Sequence, residues 1–453
     1  MLENRTARRT RRPFFRHPGQ AVVAAFAVAL AIGTLLLSLP IAREGPGSAP
    51  FVTALFTATS SLCVTGLATV DTPTYWSGFG EGVILGLIQL GGFGLMTMAS
   101  LLGLMISRRL GLRSRLTAAS EAKALGLGDV KRLLVGVLKA TVLIEALVAI
   151  ALGLRFYFGY DEPLGRAIYL GIFHGISAFN NAGFALFSDN MMGFVGDPWI
   201  CLPICAAIIL GGIGFPVLLE LRRRFRAPRR WSLHTKLTLL MTAILLLGGW
   251  VFMLLSEWGN PGALGPLSFP TKLLASFFHA VQPRTAGFNS LDVAAMSDET
   301  LFGTTILMFI GGGSAGTAGG IKVTTFVLLL YVIVAEVRGE QSVTAFGRRI
   351  DHRTMRQAVT VALLAVAGLV GGTMILMWLT EIRLALILTE VASALSTVGL
   401  SAGVTPTLPA SAQLVLVALM FFGRLGPVTM VSALALREHT RKFEYPEERP
   451  LIG

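Results

Sequence analysis

The segment FTATSSLCVTGL, Phe56 to Leu67, recurs in outline three more times along the chain. Phe173 to Phe184 reads FHGISAFNNAGF, Phe277 to Phe288 reads FFHAVQPRTAGF, and Thr389 to Leu400 reads TEVASALSTVGL. In each, an apolar run too short to span a bilayer ends at a glycine followed by Leu or Phe. The glycines are Gly66, Gly183, Gly287 and Gly399, and each sits between two longer apolar runs. A period of roughly 110 residues with this layout marks four copies of one unit.

Composition frames the repeats. With 53% hydrophobic and 14% charged residues and a mean hydropathy of +0.70, the chain lies outside the range of soluble globular domains. It reads as an all-α polytopic membrane protein. The net charge of +13 does not point to nucleic acid, because about 29 of the 38 Lys and Arg fall in five clusters beside apolar runs. These run Arg5 to Arg16, Arg108 to Arg132, Arg222 to Lys236, Arg338 to Arg356 and Arg437 to Arg449, and the positive-inside rule assigns all five to the cytoplasmic side. Segments between them carry Asp71, Glu81, Asp161, Glu162, Asp189, Asp197, Asp292, Asp298 and Glu299. The outer face is therefore acidic and concentrates cations.

The arginine-rich start precedes an apolar run, Ala21 to Pro40, of full membrane-span length without a small-residue cleavage site, so it reads as a retained first helix in an inner membrane. Cys63, Cys201 and Cys205 all lie in apolar context, which indicates neither a disulfide framework nor a zinc site. The predicted layout is a cytoplasmic N-terminus (1–20), repeat 1 (21–107), a cytoplasmic loop (108–132), repeat 2 (133–222), a loop (223–236) and repeat 3 (237–337). A further loop (338–356), repeat 4 (357–436) and a cytoplasmic tail (437–453) complete it. Basic clusters at both ends of every unit make the copies parallel repeats about the membrane normal, with eight transmembrane helices and four re-entrant pore helices.

Irregular backbone at membrane depth is tolerated only where protein buries it or where it lines a water-filled cavity. Four such loops must converge on one pore. Their expected ion-facing residues are Val64, Thr65 and Gly66; Asn181, Ala182 and Gly183; Thr285, Ala286 and Gly287; and Thr397, Val398 and Gly399. Carbonyl oxygens there replace the hydration shell of K+, glycine permits the backbone angles, and the preceding helices aim their negative ends at the pore.

Thr397-Val398-Gly399 resembles a potassium-channel filter triplet. The four-unit arrangement, over nearly the whole chain, resembles the Trk/Ktr/HKT superfamily of potassium transporters, and most closely the KtrB-type membrane subunits of Ktr systems. The resemblance implies K+ as substrate with Na+ as a candidate activator, no covalently bound cofactor, and a homodimer. It also implies a KtrA-like cytosolic ring that binds the regulatory nucleotide, since the short cytoplasmic loops leave no room here for a nucleotide domain. A Trk/HKT-type sodium/potassium transporter and a coupled secondary solute transporter are the alternatives, and no nucleophile–base or metal constellation suggests an enzyme.

About 25 residues beyond each filter glycine stands a second glycine cluster where helices can approach closely: Gly91-Gly92-Phe93-Gly94, Gly211-Gly212-Ile213-Gly214, Gly311-Gly312-Gly313 and Gly423-Arg424-Leu425-Gly426. In repeat 3 it expands into GGGSAGTAGGIK, Gly311 to Lys322, too rich in Gly, Ser and Thr to sustain a helix. An intramembrane loop beneath the filter is expected there. In KtrB-like proteins such a loop is the gate, and the resemblance assigns gating to Gly311, Gly312, Gly313, Ser314, Gly316, Thr317, Gly319, Gly320 and Lys322. Gly311, Gly313 and Gly316 also satisfy GxGxxG, but no strand precedes them, as a dinucleotide site requires. Arg424 stands mid-span, where a guanidinium is costly and usually functional. It is expected to pair with loop carbonyls or Gln89 and to tune ion occupancy by repulsion. Arg284, beside the third filter, is expected to turn away from the cation.

Overall fold

The computed structural model describes residues 18–108 and 127–426. The expectations for the N-terminal arginines, most of the 108–132 loop, the end of the last span and the tail lie outside the described residues.

Repeat 1 comprises α1 (Pro18–Leu37), α2 (Phe51–Leu62) and α3 (Gly78–Arg108); repeat 2 comprises α4 (Leu127–Gly159), α5 (Leu164–Phe179), α6 (Pro198–Ile213) and α7 (Phe215–Arg224). Repeat 3 has α8 (Leu233–Glu257), α9 (Phe269–Val281), α10 (Asp298–Phe309) and α11 (Val323–Val337). Repeat 4 has α12 (His352–Leu379), α13 (Leu384–Leu395) and α14 (Ala410–Leu425), and a two-stranded hairpin, β1 (Thr344–Ala345) with β2 (Arg348–Arg349), precedes it. Local chemistry sets several starts: Ser232 accepts from the Thr235 N–H, Ser297 from Thr300, and Asp197 from Trp199 with Pro198 at the first helical position, as N-caps do.

The short helices α2, α5, α9 and α13 share a burial gradient. Their first residues, Phe51, Leu164, Phe269 and Leu384, are 53% to 66% exposed, whereas their final turns are buried. Each points from the periphery into the interior. Each packs on the first helix of its own repeat, and the second helix of each repeat also packs on the short helix of the next: α3 on α5, α6 on α9, α10 on α13, and α14 back on α2. The repeats thus close into a ring.

On the outside, Leu240, Ile244, Leu247, Val251 and Leu255 of α8 form an exposed apolar stripe at helical spacing. Comparable residues line α4 and α12, far more exposed apolar surface than a soluble monomer carries. Three described helices, Leu134–Gly159, Leu233–Glu257 and His352–Leu379, are long and apolar enough to cross a membrane, or four if the bent pair α6–α7 counts as one span.

The second helices differ where sequence made them look alike. Gly214 (φ 94°) breaks repeat 2 with a bend of 98° between α6 and α7. Repeat 3 breaks over residues 310–322, and α14 stops at Gly426 (φ 81°). Repeat 1 differs from the other three, because α3 runs unbroken through Gly91, Gly92 and Gly94. There glycine serves close approach: a methyl on Gly91 would overlap the Leu62 carbonyl, and one on Gly92 the Asn180 side chain.

Candidate functional site

After each short helix the chain makes one tight bend. Val64, Asn181, Thr285 and Thr397 adopt left-handed backbone angles (φ 55°, 60°, 67° and 51°), and two residues later Gly66, Gly183, Gly287 and Gly399 do so again (φ 94°, 70°, 74° and 95°). A β-branched residue at positive φ is a backbone outlier, and such strain persists only where the surroundings over-determine it. Here the helix end does so. The N–H groups of Thr65, Ala182 and Val398 donate to the carbonyls of Ser60, Ser177 and Ser393 at 2.7, 2.7 and 2.8 Å, and that of Ala286 to Gln282 at 2.9 Å. The Gly66 and Gly399 N–H groups donate to the hydroxyls of Ser60 (3.1 Å) and Ser393 (2.9 Å). In repeat 3 the Phe288 N–H donates to the Gln282 side-chain oxygen at 3.1 Å.

The four bends meet. A methyl built on Gly66 would lie 3.1 Å from the Gly183 Cα; on Gly183, 3.0 Å from the Gly287 Cα; on Gly287, 2.9 Å from the Gly399 Cα; and on Gly399, 3.1 Å from the Gly66 Cα. The same four methyls would collide with the carbonyl oxygens of Ala182, Ala286, Val398 and Thr65. Glycine is required at these positions by angle and by space together. Over this ring opens a cavity of about 580 Å³ that reaches Gly66, Gly183, Gly287 and Gly399 and is lined by Asp71, Asp189 and Asp292. Carboxylates there attract cations to its mouth.

Beneath the ring lies the 310–322 segment. It is tied to repeat 2 by Gly313 N–H to the Gly212 carbonyl (2.8 Å) and Thr317 N–H to Gly211 (3.1 Å), and Gly316 lies where a methyl would sit 2.8 Å from the Gly211 oxygen. It closes on itself through Gly311 N–H to Ile321 and Val323 N–H to Gly312. Ser314 shares a hydrogen bond with Thr324 at 3.1 Å, and Gly320 takes φ 65°. Its contact with the bends is direct: the Thr317 hydroxyl donates to the Asn181 side chain at 2.8 Å, and the Gly319 N–H donates to the Thr285 hydroxyl at 3.0 Å. Lys322 donates to the Ala318 carbonyl at 2.5 Å, inside the same turn.

Arg424, 3% exposed, donates to the Thr317 carbonyl at 2.5 Å and to the Gly91 carbonyl at 3.1 Å. The expected loop carbonyl is there; Gln89 is not its partner. Gln89 and Asn180 instead surround the buried Glu145, with Asn180 donating to Glu145 at 2.9 Å and to Gln89 at 3.0 Å. Asn180 lies one residue before the second bend, and sequence reasoning passed over it. Its signal was position, since it ends α5 where Cys63, Gln282 and Ser396 end the other short helices. Arg284 turns away to the Leu307 carbonyl (2.7 Å), and its own carbonyl accepts from the Asn181 amide (3.0 Å). Glu390 accepts from Ser401 and Thr405 behind the fourth bend. His174 is satisfied by the Leu170 carbonyl and the Leu186 N–H, and Cys63, Cys201 and Cys205 are buried and free.

A family model described as "TrkH: Cation transport protein" matches residues 4–444. The chain belongs to the TrkH family of cation transport proteins. This family member is 41% identical over 442 residues to the Ktr system potassium uptake protein B of Bacillus subtilis, covering 96% of this chain and 97% of the relative. It is also 35% identical over 444 residues to the potassium/sodium uptake protein NtpJ of Enterococcus hirae, covering 96% and 97%. Among solved structures, the potassium transporter TrkH of Vibrio parahaemolyticus aligns with a TM-score of 0.72 at 18% identity, covering 95% of this chain and 87% of that one. That likeness is one of fold: a helical, multi-pass membrane protein.

The serine ties to the bends are testable in this TrkH-family chain. Ser393→Ala leaves the buried Gly399 N–H without its acceptor, at a cost of about 1–3 kcal/mol. Discrimination between potassium and sodium in uptake assays should fall, while Ser393→Thr, which keeps the hydroxyl, should retain it. Equal selectivity in the alanine variant would make the bond dispensable.

Proposed function

We propose that this chain is the potassium-translocating subunit of a Ktr-type uptake system, conducting K+ along the axis of the four-loop ring. The observation that carries the reading is the closed cycle of contacts Gly66–Gly183–Gly287–Gly399–Gly66. Such a cycle supplies one carbonyl per repeat at the same level, which suits a dehydrating monovalent cation better than a solute. Support also comes from relatives named as potassium uptake proteins. The ion-binding residues in this reading are Val64 to Gly66, Asn181 to Gly183, Thr285 to Gly287 and Thr397 to Gly399.

The same reading takes α1, α3, α4, α6–α7, α8, α10–α11, α12 and α14 as eight spans and α2, α5, α9 and α13 as four pore helices in an inner membrane, with both termini cytoplasmic. The 310–322 segment acts as the gate, a role supported by its contacts to Asn181 and Thr285 of two bends, and Arg424 holds it closed. Nucleotide control belongs to a separate KtrA-like cytosolic ring that docks on the basic face of a homodimer.

In cells deleted for potassium uptake, the chain should restore growth at low external potassium, more strongly with a cytosolic nucleotide-binding partner. Absence of rescue with every partner would overturn the assignment. A sodium-coupled variant of the reading is favoured by one observation: the second bend has Asn181-Ala182 where the fourth has Thr397-Val398, and Asn181 spends its side chain on Thr317 and Arg284. Rescue that requires added sodium would select that variant.

A further inference from the structure

The 98° bend at Gly214 turns α7 across the axis of α6. α7 continues the second span of repeat 2 beyond this bend, so its arginine end reaches the cytoplasmic headgroups. Its sequence FPVLLELRRR suits that position, with apolar residues first and arginines at the end. Phe215 and Val217 are buried against the protein, whereas Phe225, just beyond the helix, is 73% exposed. Beside it Arg222, Arg223, Arg224, Arg226 and Arg230 line a cavity of about 790 Å³.

Five exposed arginines line one hollow and concentrate anions there, and Arg224 also donates to the Arg230 carbonyl at 3.4 Å. Among the described residues none of the five forms an ion pair within 4 Å. The nearby carboxylate, Glu220, is committed to the Ser232 N–H (2.9 Å), the Ser232 hydroxyl (2.6 Å) and the Thr235 hydroxyl (2.5 Å). The hollow is held open by its own loop: Trp231 donates from its indole to the Arg224 carbonyl at 2.9 Å, and Lys236 donates to the Arg229 carbonyl at 3.2 Å.

We propose that α7 and the arginine loop after it form a seat for the phosphate headgroup of an anionic phospholipid. Guanidinium forks match phosphate oxygens, and arginines at the cytoplasmic end of a span, beside exposed Phe225, place the seat at headgroup depth, where a lipid is the phosphate at hand. The opposite end of α7 touches the 310–322 segment, through Phe215 N–H to the Ala315 carbonyl at 3.2 Å. Occupancy of the seat therefore biases that segment. This regulatory half rests on the ion-pathway reading; the lipid seat does not.

The test uses the full chain in phosphatidylcholine nanodiscs with a minor fraction of phosphatidylglycerol, with retained lipid measured by native mass spectrometry and potassium flux measured in liposomes of the same composition. Replacing Arg222, Arg223 and Arg226 together by Gln should lower phosphatidylglycerol retention on the order of a hundredfold. The triple Lys variant should keep most of it, which separates charge from folding. Flux of the wild type should change with phosphatidylglycerol, and flux of the Gln variant should not. Equal retention in wild type and Gln variant overturns the seat. So does displacement of the lipid by millimolar glycerol 1-phosphate, which would mark a free-phosphate site, or loss of only the cytosolic partner in the Gln variant, which would mark a protein-docking face. Lipid retention that depends on the arginines without any effect on flux keeps the seat and overturns its link to the ion pathway.

Discussion

Gly399→Ala should reduce potassium uptake at low external potassium by at least about tenfold and erode selectivity over sodium. A residue with a Cβ at φ 95° costs roughly 1–2 kcal/mol, which alone approaches a factor of ten in affinity. The added methyl also collides with the Thr65 carbonyl and lies 3.1 Å from the Gly66 Cα. Relief requires backbone movement, and movement at one joint of a closed ring shifts its neighbours. Gly86→Ala is the matched control, because Gly86 is a helical glycine with nothing near its absent side chain. Alanine there should be neutral or slightly stabilising. An unchanged apparent affinity in Gly399→Ala, with normal membrane levels, would mean that the ring does not bind the ion.

Arg424→Ala should raise maximum potassium flux severalfold and strengthen apparent affinity, two consequences of one deletion. Removing the guanidinium leaves the Thr317 carbonyl an unmet acceptor, at a cost of about 1–3 kcal/mol, and breaks the bridge from it to the Gly91 carbonyl, so the 310–322 segment loses its anchor to α3. It also removes a positive charge from beneath a cation path, where repulsion acts through a low-dielectric surround. Arg424→Lys separates these effects. Lysine restores the charge but cannot reach two carbonyls with a planar fork, so affinity should return toward wild type while flux stays high. If both variants carried wild-type flux, Arg424 would be no more than a packing residue.

Much of the architecture was readable because it repeats. A single short apolar run ending in glycine means little; four at one register, each between long apolar runs, leave few arrangements open. The helices α2 and α13 start and stop where their apolar runs do. At Gly91 to Gly94 the sequence is ambiguous, because a glycine cluster reports either a break or a close contact, and only the neighbour decides. There the neighbours are Leu62 and Asn180. The left-handed Val64, Asn181, Thr285 and Thr397 left no trace either, since Val and Thr ordinarily avoid that conformation and only the hydrogen-bonded helix end imposes it.

Sequence alone determined the four-unit plan, the membrane class, the glycines at each bend and the Gly-Ser-Thr segment that interrupts repeat 3, because these depend on composition and spacing within short windows. Tertiary structure decided the partners. Arg424 meets a carbonyl 107 residues away and another 333 residues away, and Asn180 finds Gln89 and Glu145 in other helices. A buried polar group takes whichever complementary atom the closed ring brings within reach, and that proximity exists only after all four repeats have packed.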